Sequence, residues 1–282
     1  MSGVMGMQRM MAAIRHVVIA ALALALVGAC HTGRDYPDVT GPRHAGAATR
    51  AAPAVSTGTL RIVSFNIEFA KRIDAAIRLL TSDSALRGAD VILLQEMDAD
   101  ATKRIADTLN MAYVYYPALH HRRTGRDFGN AVLSRWPIVA DAKLILPNPS
   151  WYAGTHRIAT AATIEVRGAR IRVYSTHLAT IADVLPRHRR AQLRTILDDA
   201  IEYRFAIIGG DMNDADIGRD AVDAGFVWPT QEGPRTTRFG RWDHVFIKGL
   251  RTPDSSVARS GTVAPREKIS DHVPVWAVGI LP

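Results

Sequence analysis

Val91-Ile92-Leu93-Leu94-Gln95-Glu96 is an apolar run that ends in a carboxylate. A strand this apolar is typical of one that is buried on both faces of a sheet. The carboxyl end of such a strand opens into the crevice at the edge of its sheet. A single Glu after a strand is most often a surface group, but the run before Glu96 favours a buried carboxylate at this edge.

Five further polar clusters border strand-like runs in the same way. In chain order they are Ser64-Phe65-Asn66-Ile67-Glu68, Ser175-Thr176-His177-Leu178, Gly209-Gly210-Asp211-Met212-Asn213, Trp242-Asp243-His244 and Ser270-Asp271-His272. Any one of them has a bland explanation, such as a turn or a structural histidine. Six along one chain favour a common site built from the ends of several strands.

The apolar patterning predicts one α/β domain with a pair of mixed sheets and helices outside them. β-Branched and aromatic content predicts strands at Leu60–Asn66, Val91–Gln95, Tyr113–Tyr116, Asn130–Ser134, Ile158–Val166, Ile171–His177, Phe205–Gly209, His244–Ile247 and Val273–Val278. Helical periodicity covers Arg72–Leu80, Lys103–Leu109 and Pro186–Ile201. The segment Arg167-Gly168-Ala169-Arg170 predicts a hairpin turn. The catalytic domain is expected to span residues 59–282.

The N-terminal residues differ in composition from this domain. Arg9 and Arg15 precede the apolar stretch Val17–Val27, which is short for a membrane span, so residues 1–30 are predicted to be a signal peptide. It ends in Val27-Gly28-Ala29-Cys30, which resembles the lipobox of bacterial lipoproteins, where the Cys is acylated. An ordinary signal peptide or an anchor helix is the alternative. Cys30 is the only cysteine, so its lipidation would exclude a disulfide.

Residues 31–58 are rich in Ala, Gly, Pro and Thr and lack apolar periodicity, which predicts a disordered tether. A flexible tether of this length would reach about 30 Å. We therefore expect an exported, monomeric lipoprotein. It would be anchored to a membrane through Cys30, in the periplasm or at the cell surface.

Three of the clusters carry oxygen ligands for a metal ion. Asn66, Glu96 and Asp271 offer hard oxygen atoms, which suit Mg²⁺ or Mn²⁺ better than zinc or copper. The chain has no pair of cysteines and no His-Glu-x-x-His segment, which argues against a zinc hydrolase. A magnesium or manganese site is therefore predicted at these strand ends.

Asp211 follows the run Ile207-Ile208-Gly209-Gly210, whose glycines allow the backbone to approach a ligand. In an extended segment, Asp211 and Asn213 face the same side. Asp211 is then a candidate acceptor for a water proton, and Asn213 a candidate donor to a phosphoryl oxygen. An Asp-Asn turn after a strand is the ordinary alternative.

His177 and His272 each lie at a strand end, and Asp243 is a candidate to orient the His272 ring. Such a pair beside a scissile phosphate can transfer a proton, or neutralise developing charge as imidazolium. Asn130 and Arg157, both at the start of predicted strands, are candidate donors to the substrate phosphate. A solvated loop explains these last two equally well.

Taken together, these clusters resemble the endonuclease/exonuclease/phosphatase superfamily, which has the pancreatic-deoxyribonuclease-like fold. The resemblance covers residues 59–282, and the segment Gly129-Asn130-Ala131-Val132-Leu133-Ser134-Arg135-Trp136-Pro137-Ile138 is similar to the family's central strand motif. It implies a four-layer α/β sandwich, in which two packed mixed β-sheets are flanked by helices. The implied roles are Mg²⁺ ligation by Glu96 with Asn66 and Asp271, water activation by Asp211, phosphoryl binding by Asn213 and His177, and proton transfer by His272 with Asp243.

Members of this superfamily cleave DNA, RNA, sphingomyelin and inositol phosphates with one core, so the site predicts the reaction and not the substrate. The formal net charge of +8, or +6 without Arg9 and Arg15, favours an anionic substrate such as nucleic acid or a phospholipid headgroup. We expect a metal-dependent phosphoesterase that cleaves phosphodiester bonds of nucleic acid. A phospholipid, sphingomyelin-type or inositol-phosphate ester is the alternative substrate.

Two other classes of protein were considered. A non-catalytic phosphate- or nucleic-acid-binding lipoprotein would be expected to lack Glu96, Asp211 or His272, and all three are present. A serine hydrolase is disfavoured because the chain has no Gly-x-Ser-x-Gly elbow.

Overall fold

Two β-sheets pack face to face in the computed structural model, which describes residues 33–50, 58–122, 124–254 and 259–282. The strands are β1 (Arg34–Asp35), β2 (His44–Gly46), β3 (Thr59–Asn66), β4 (Val91–Met97), β5 (Ala112–His121), β6 (Arg126–Ser134), β7 (Ile138–Ile145), β8 (Ile158–Val166), β9 (Ala169–His177), β10 (Phe205–Asp211), β11 (Asp243–Lys248), β12 (Ser260–Thr262) and β13 (Val275–Ile280). The helices are α1 (Ile73–Ser82), α2 (Ala99–Leu109), α3 (Pro186–Ala200) and α4 (Gly218–Asp223).

The first sheet has eight strands, with the order β1-β5-β6-β4-β3-β13-β12 and with β2 also paired to β5. β3 and β4 are parallel and are connected through α1, as a parallel pair requires a crossover. The neighbouring pairs β3/β13 and β4/β6 are antiparallel. The carboxyl ends of β3 and β4 therefore lie side by side at one edge of the sheet.

The second sheet has five strands in the order β11-β10-β9-β8-β7. β9 and β10 are parallel and are connected through α3, while β11 runs antiparallel to β10. The predicted hairpin between β8 and β9 is confirmed, and its turn residues Arg167 and Gly168 have φ values of 53° and 77°. Positive φ at both positions is the conformation that matches the twist of the two strands.

Three apolar layers hold the sheets and helices together. The layer between the sheets includes Leu93 and Ile207, both fully buried. Leu80 of α1 and Ile105 of α2 cover the outer face of the first sheet. Ile196 of α3 belongs to the layer on the outer face of the second sheet, which α4 also covers. The predicted four-layer sandwich of two mixed sheets flanked by helices is confirmed.

The sequence analysis did not predict β7, β12 or α4. β7 is an edge strand whose only buried residue is Lys143, so its apolar residues do not alternate as in a half-buried strand. β12 and α4 have three and six residues, too few for a periodic pattern to be visible. The predicted strands are all present, although β5 and β6 extend further into their shared hairpin than expected.

The tether prediction is wrong for residues 33–50, which are ordered against the first sheet. β1 and β2 pair antiparallel with β5, and Arg43 forms an ion pair of 2.7 Å with Asp141. The ammonium group of the buried Lys143 donates hydrogen bonds to the carbonyl oxygens of Tyr36 (3.0 Å) and Gly41 (2.6 Å). The composition of residues 33–50 does not predict that they are ordered, because their backbone hydrogen-bonding partners belong to β5, which is distant in sequence.

The remainder of the predicted tether, the predicted signal peptide and Cys30 lie outside the described residues. None of the helices within the described ranges has both the length and the apolarity needed to cross a bilayer.

We predict that Lys143→Met releases the N-terminal segment from the sheet. Hydrogen bonds to a charged group contribute about 1.5–3 kcal/mol, so amide exchange in residues 34–46 should accelerate roughly tenfold or more. Hydrogen exchange read by mass spectrometry measures this. Lys248→Met is the matched control, because Lys248 donates to Ala200 and Ile201 at another place in the fold. Equal exchange rates of this segment in the two variants would contradict the assignment.

Candidate functional site

The ends of five strands meet at one edge of the sandwich. Asn66 ends β3 and Glu96 is the next-to-last residue of β4, both in the first sheet. In the second sheet His177 ends β9 and Asp211 ends β10, where they are register partners. Asp243 begins the antiparallel β11 directly opposite Asp211. The parallel pairs deliver their carboxyl ends to the same edge, so the predicted cluster of strand-end residues forms.

The side-chain amide of Asn66 connects the two sheets at this edge. Its Nδ2 donates to Oε1 of Glu96 at 3.0 Å and to Oδ2 of Asp211 at 3.2 Å. Its Oδ1 accepts the backbone N–H of Glu68 at 3.1 Å. Asn66 is fully buried, and every polar atom of its amide is engaged in the site.

Glu96 is directed into the site by an irregular strand end. Its φ of 59° and the register shift between Leu94 and Met97 turn it out of the regular ladder. A non-glycine residue in this region costs of order 1–3 kcal/mol, so the surrounding structure must favour it. Oε2 of Glu96 accepts the backbone N–H of Phe69 at 3.0 Å, which holds the carboxylate in place.

The charge of Glu96 is not balanced by a basic side chain among the described residues. The side chain is only 13% exposed, and its nearest ion-pair candidate is Nδ1 of His177 at 3.8 Å. Burial raises the pKa of Glu96, and the charge of Asp271 adds to the shift, while the hydrogen bond from Asn66 and the charges of His272 and Arg157 oppose it without cancelling it. A buried carboxylate held by amide donors alone, with amide and carboxylate oxygens beside it, suits a hard divalent cation.

Asp271, the third predicted metal ligand, lies at the exposed rim of the site. Its Oδ1 is 3.4 Å from the hydroxyl of Ser270, and that hydroxyl donates to the backbone oxygen of Asn66 at 2.7 Å. Glu96 and Asn66 are thus in direct contact, whereas Asp271 is tied to them through Ser270 and through its charge.

Asp211 is the centre of the second half of the site. Its Oδ2 lies 3.3 Å from Nε2 of His177 and 3.5 Å from Nε2 of His272. Its Oδ1 accepts the backbone N–H of Asn213 at 2.9 Å. Burial raises the pKa of Asp211 to about 7, although the charge of His272 opposes the shift. A carboxyl group with such a pKa is well suited to accept a proton near neutral pH.

His272 is held as an imidazolium by the carboxylate predicted to orient it. Its Nδ1 donates to Oδ2 of Asp243 at 2.8 Å. Burial lowers the pKa of His272, but Asp243 and then Asp211 and Asp271 outweigh burial and raise it to about 10. Asp243 is fully buried, and its Oδ1 has no hydrogen-bond partner.

Asp211, Asp243 and His272 present ligand-type atoms within 4.8 Å of one another, a spacing also found in metal sites. A protonated imidazole has no lone pair for a metal ion. An imidazole bonded to a carboxylate through Nδ1 transfers a proton when it is charged and can hold a metal ion through Nε2 when it is neutral, so this arrangement suits either role. On the opposite sheet, Glu96 and Asn66 offer hard oxygen atoms and are in direct contact.

His177 contributes a neutral imidazole. Burial, together with the charges of Arg157 and His272, lowers the pKa of His177 well below its ordinary value. Its Nδ1 is buried and has no hydrogen-bond partner. Such an atom is available to a ligand in the site.

Asn213 does not take the predicted orientation. Its φ is 51°, so the segment after Asp211 turns instead of remaining extended. The Nδ2 group of Asn213 donates to the carbonyl oxygen of Leu178 at 3.0 Å, which links the ends of β9 and β10. The prediction that Asp211 and Asn213 face the same side of an extended segment is wrong, and the turn explanation fits better.

Asn130 and Arg157 also differ from the prediction in detail. Asn130 lies within β6 rather than at its start, with Nδ2 donating to the carbonyl oxygen of Ile158 at 2.9 Å and with a buried Oδ1 that lacks a partner. Arg157 pairs with Asp183 at 3.1 Å, and its guanidinium lies 5.9 Å from the centre of the Phe128 ring. The charge of Arg157 nevertheless acts on Glu96 and His177, which places this residue beside the site.

Sequence reasoning missed the aromatic wall next to the cluster. Phe69 and Phe128 have ring centres 5.2 Å apart, and Phe128 lies 5.9 Å from the His177 ring. Phe69 belongs to a turn in which Glu68, Phe69 and Ala70 have φ values of 35°, 56° and 51°. Only the position of Phe69 just after the first polar cluster could have drawn attention to it.

The comparison with protein families agrees with this geometry. The model of the Endonuclease/Exonuclease/phosphatase family matches residues 63–272. The chain belongs to this family. Its members are hydrolases that act on phosphate esters and depend on a divalent metal ion. A search of curated proteins gave no match.

Solved structures share the fold at low sequence identity. An endonuclease/exonuclease/phosphatase family protein from Leptotrichia buccalis C-1013-b is 17% identical with a TM-score of 0.61, covering 77% of this chain and 98% of that chain. D. rerio TDP2, complexed with single strand DNA product, is 18% identical with a TM-score of 0.58, covering 78% and 98%. Sphingomyelinase C from Streptomyces griseocarneus is 18% identical with a TM-score of 0.57, covering 79% and 100%. At these identities the similarity establishes the fold of this family member and not its substrate.

We predict that His244, which follows Asp243, makes stability depend on pH. Its Nδ1 accepts from Nε1 of Trp228 at 3.2 Å and its Nε2 lies 3.1 Å from the carbonyl oxygen of Asp214, so the bound ring is neutral. Burial lowers its pKa from 6.5 to about 4. Between pH 6.5 and about pH 4, His244 is protonated in the unfolded chain but neutral in the folded protein. The stability that the neutral His244 ring contributes is therefore fully present above pH 6.5 and is lost as the pH falls towards 4.

Denaturant unfolding at a series of pH values measures this effect. His244→Gln should flatten the loss of stability in that range by up to a few kcal/mol. His188→Gln, on the half-exposed face of α3, should keep the native slope. Identical slopes in both variants would exclude the role of His244.

Proposed function

We propose that this protein is a Mg²⁺-dependent, or Mn²⁺-dependent, phosphodiesterase that cleaves nucleic-acid phosphodiester bonds outside the cytoplasm. The proposal rests on the two hydrogen bonds that the Asn66 amide donates to Glu96 and Asp211. They place Glu96, the proposed metal ligand, beside Asp211, the proposed proton acceptor. Each of these groups alone has a structural explanation. Their direct contact across two sheets fits a single reaction centre.

The metal ion would be held by Glu96 and Asn66, with Asp271 at the rim, and would polarise the phosphate and stabilise the leaving oxygen. Asp211 accepts a proton from the attacking water, which its pKa of about 7 permits. The imidazolium of His272 lies beside Asp211 and can neutralise charge on the phosphoryl group or give a proton to the leaving group.

Three further residues are proposed to hold the substrate. The neutral His177 has an unpartnered Nδ1 that can bind a phosphoryl oxygen or a water molecule. Arg157 supplies positive charge next to the cluster. Asn130 has a buried Oδ1 without a partner, which is an acceptor and is proposed to bind a hydroxyl group of the bound substrate or a water molecule rather than a phosphoryl oxygen. Asn213, whose amide is bound to Leu178, is proposed to hold the ends of β9 and β10 in position and to act on phosphate only if that bond opens.

The net positive charge, +6 once Arg9 and Arg15 are removed from the +8 of the whole chain, supports an anionic polymer as substrate. A membrane phospholipid is the second candidate, because three exposed apolar side chains lie together near the site. Trp151 is 78% exposed, Ile181 is 72% exposed, and Tyr152 contacts Trp151 with ring centres 5.6 Å apart. Nε1 of Trp151 donates to the carbonyl oxygen of Ala182, which joins the two loops.

We further propose export and membrane attachment through a lipidated Cys30. The support is the lipobox-like segment that ends at the only cysteine of the chain. Intact-mass measurement of the protein purified from bacterial membranes should show an acylated N-terminal Cys30. A Cys30→Ser variant should lose both the lipid mass and membrane retention. An unmodified chain that begins at another residue would refute this part of the proposal.

We predict that Glu96→Ala and His272→Ala each reduce metal-dependent hydrolysis at least ~100-fold, since groups of these kinds contribute that much or more. Initial rates with bis-p-nitrophenyl phosphate in Mg²⁺ or Mn²⁺ measure the effect. Glu165→Ala and His188→Ala are matched controls that alter an exposed Glu and a half-exposed His, and they should keep native rates. Native turnover in both active-site variants would overturn the role assignments.

A substrate panel tests the proposed function itself. Plasmid DNA and sphingomyelin-containing vesicles are compared with bis-p-nitrophenyl phosphate, with and without EDTA. Cleavage of DNA that EDTA abolishes supports the proposal, and cleavage of vesicle lipid alone selects the second candidate. Hydrolysis that resists EDTA, or binding of DNA without any hydrolysis, would contradict it.

A further inference from the structure

A cavity of about 460 Å³ adjoins the catalytic cluster. Its lining includes the rings of Phe69, His121, Phe128 and Tyr152 and the guanidinium of Arg157. Cavities of roughly 300–1,000 Å³ are the usual size for small-molecule sites. The roles proposed above use Arg157 for its charge and Tyr152 only in the phospholipid alternative, and they leave the rings of Phe69, His121 and Phe128 without a function.

The rings form a continuous series that begins at a catalytic residue. The Phe128 ring lies 5.9 Å from His177 and 5.2 Å from Phe69, and the Phe69 ring lies 5.1 Å from His121. All three contacts are tilted, with interplanar angles of 46–55°. A ligand held at His177 and Asp211 would therefore have aromatic surface directly beside it.

Arg157 adds a cationic group to this wall. Its guanidinium lies 5.9 Å from the Phe128 ring centre, and Asp183 holds it in place at 3.1 Å. Aromatic faces and guanidinium planes both stack on planar rings. Aromatic faces also attract quaternary ammonium groups. Among the described residues that line the cavity, the one carboxylate, Asp183, is already paired with Arg157, so it is not a free counter-charge for such a group.

The carboxylate of Glu96, the proposed metal ligand, holds Phe69 in this aromatic wall. The left-handed turn of Glu68, Phe69 and Ala70 directs the ring towards Phe128, and the Phe69 N–H donates to Oε2 of Glu96. The residue that would stack on a substrate is thus bonded through its backbone to a residue that would hold the metal.

We infer that this cavity is a subsite for the nucleobase of a nucleoside phosphate ester, whose phosphate lies at the cluster of Asn66, Asp211 and His272. The inference rests on the proposed phosphodiesterase function and adds the substrate group next to the scissile bond. Stacking contributes to affinity independently of base identity, so the subsite recognises a planar ring and not a particular sequence.

Calorimetric titration of the full-length protein in Mg²⁺ tests the inference with ligands matched at the phosphate. Thymidine 5′-monophosphate carries a base at C1′, where 2-deoxyribose 5-phosphate has a hydroxyl group, and phosphocholine has a quaternary ammonium group in place of the sugar and base. We expect the thymidine ligand to bind about tenfold more tightly than the other two. Release of inorganic phosphate is monitored so that turnover is not mistaken for binding.

Variants connect this preference to the cavity. In Tyr152→Leu and in Phe128→Leu, the affinities for thymidine 5′-monophosphate and 2-deoxyribose 5-phosphate should differ by no more than about threefold. Tyr152 is 52% exposed, so its replacement tests the subsite even if Phe128→Leu disturbs folding. Phe239→Leu is the control, because Phe239 is a 62% exposed ring outside this cavity.

The inference would be overturned if thymidine 5′-monophosphate and 2-deoxyribose 5-phosphate bound equally well, if phosphocholine bound more tightly, or if thymidine 5′-monophosphate did not bind at millimolar concentration. It would also be overturned if Tyr152→Leu left the ratio of the affinities for the first two ligands unchanged. Hydrolysis of bis-p-nitrophenyl phosphate by the same preparations separates the two claims. If the protein hydrolyses bis-p-nitrophenyl phosphate but binds the nucleotide and the sugar phosphate equally well, only the subsite is rejected. If the nucleotide binds more tightly but no metal-dependent hydrolysis occurs, the proposed function is rejected and the subsite is supported.

Discussion

The hydrogen bonds from the amide of Asn66 to Glu96 and Asp211 are the contacts on which the site depends. The apolar layer between the sheets is non-directional, so it fixes their separation but not their exact register. Polar bonds across that layer fix the register near the site. Next to Asn66, Nε2 of Gln95 donates to Oγ of Ser175 at 3.0 Å, and Ser175 in turn donates to the carbonyl oxygen of Leu94 at 3.0 Å. These buried bonds align the strand ends that carry the catalytic groups.

The same edge gathers more negative charge than it balances. Glu96, Asp211 and Asp243 are carboxyl groups removed from water, and the only basic group bonded to this set within the described residues is the imidazolium of His272. Neutral His177 does not compensate for the difference. Uncompensated buried charge is costly and shifts pKa values towards the neutral form, as at Glu96 and Asp211. A divalent cation at this edge would offset the buried negative charge, which agrees with the metal dependence of the family.

Sequence patterns predicted the parts of the fold that the apolar core determines. Strands such as β4 and β10 are long apolar runs, so both their existence and the polar residues at their ends could be read directly. The N-terminal strands β1 and β2 could not be predicted, because they are held by the backbone of β5, by Lys143 and by polar contacts to residues distant in sequence, such as the ion pair of Arg43 with Asp141, and not by an apolar pattern of their own. For the same reason the reach of a flexible tether does not apply to residues 33–50. Pairing partners distant in sequence leave no local pattern.

The other failures of prediction concern backbone conformation at the site itself. Of the eight non-glycine residues with positive φ in the described chain, five lie at the site: Glu68, Phe69, Ala70, Glu96 and Asn213. Sequence patterns do not indicate positive φ at a residue such as Glu96, so the irregular end of β4 was not predicted. The segment at Asn213 was interpreted as extended, with an Asp-Asn turn as the alternative. Two of these residues donate backbone hydrogen bonds to carboxylates of the site: the Phe69 N–H to Glu96 and the Asn213 N–H to Asp211. Sequence-based prediction fails here because tertiary hydrogen bonds within the polar cluster, and not the intrinsic φ/ψ preferences of these residues, determine their backbone conformation.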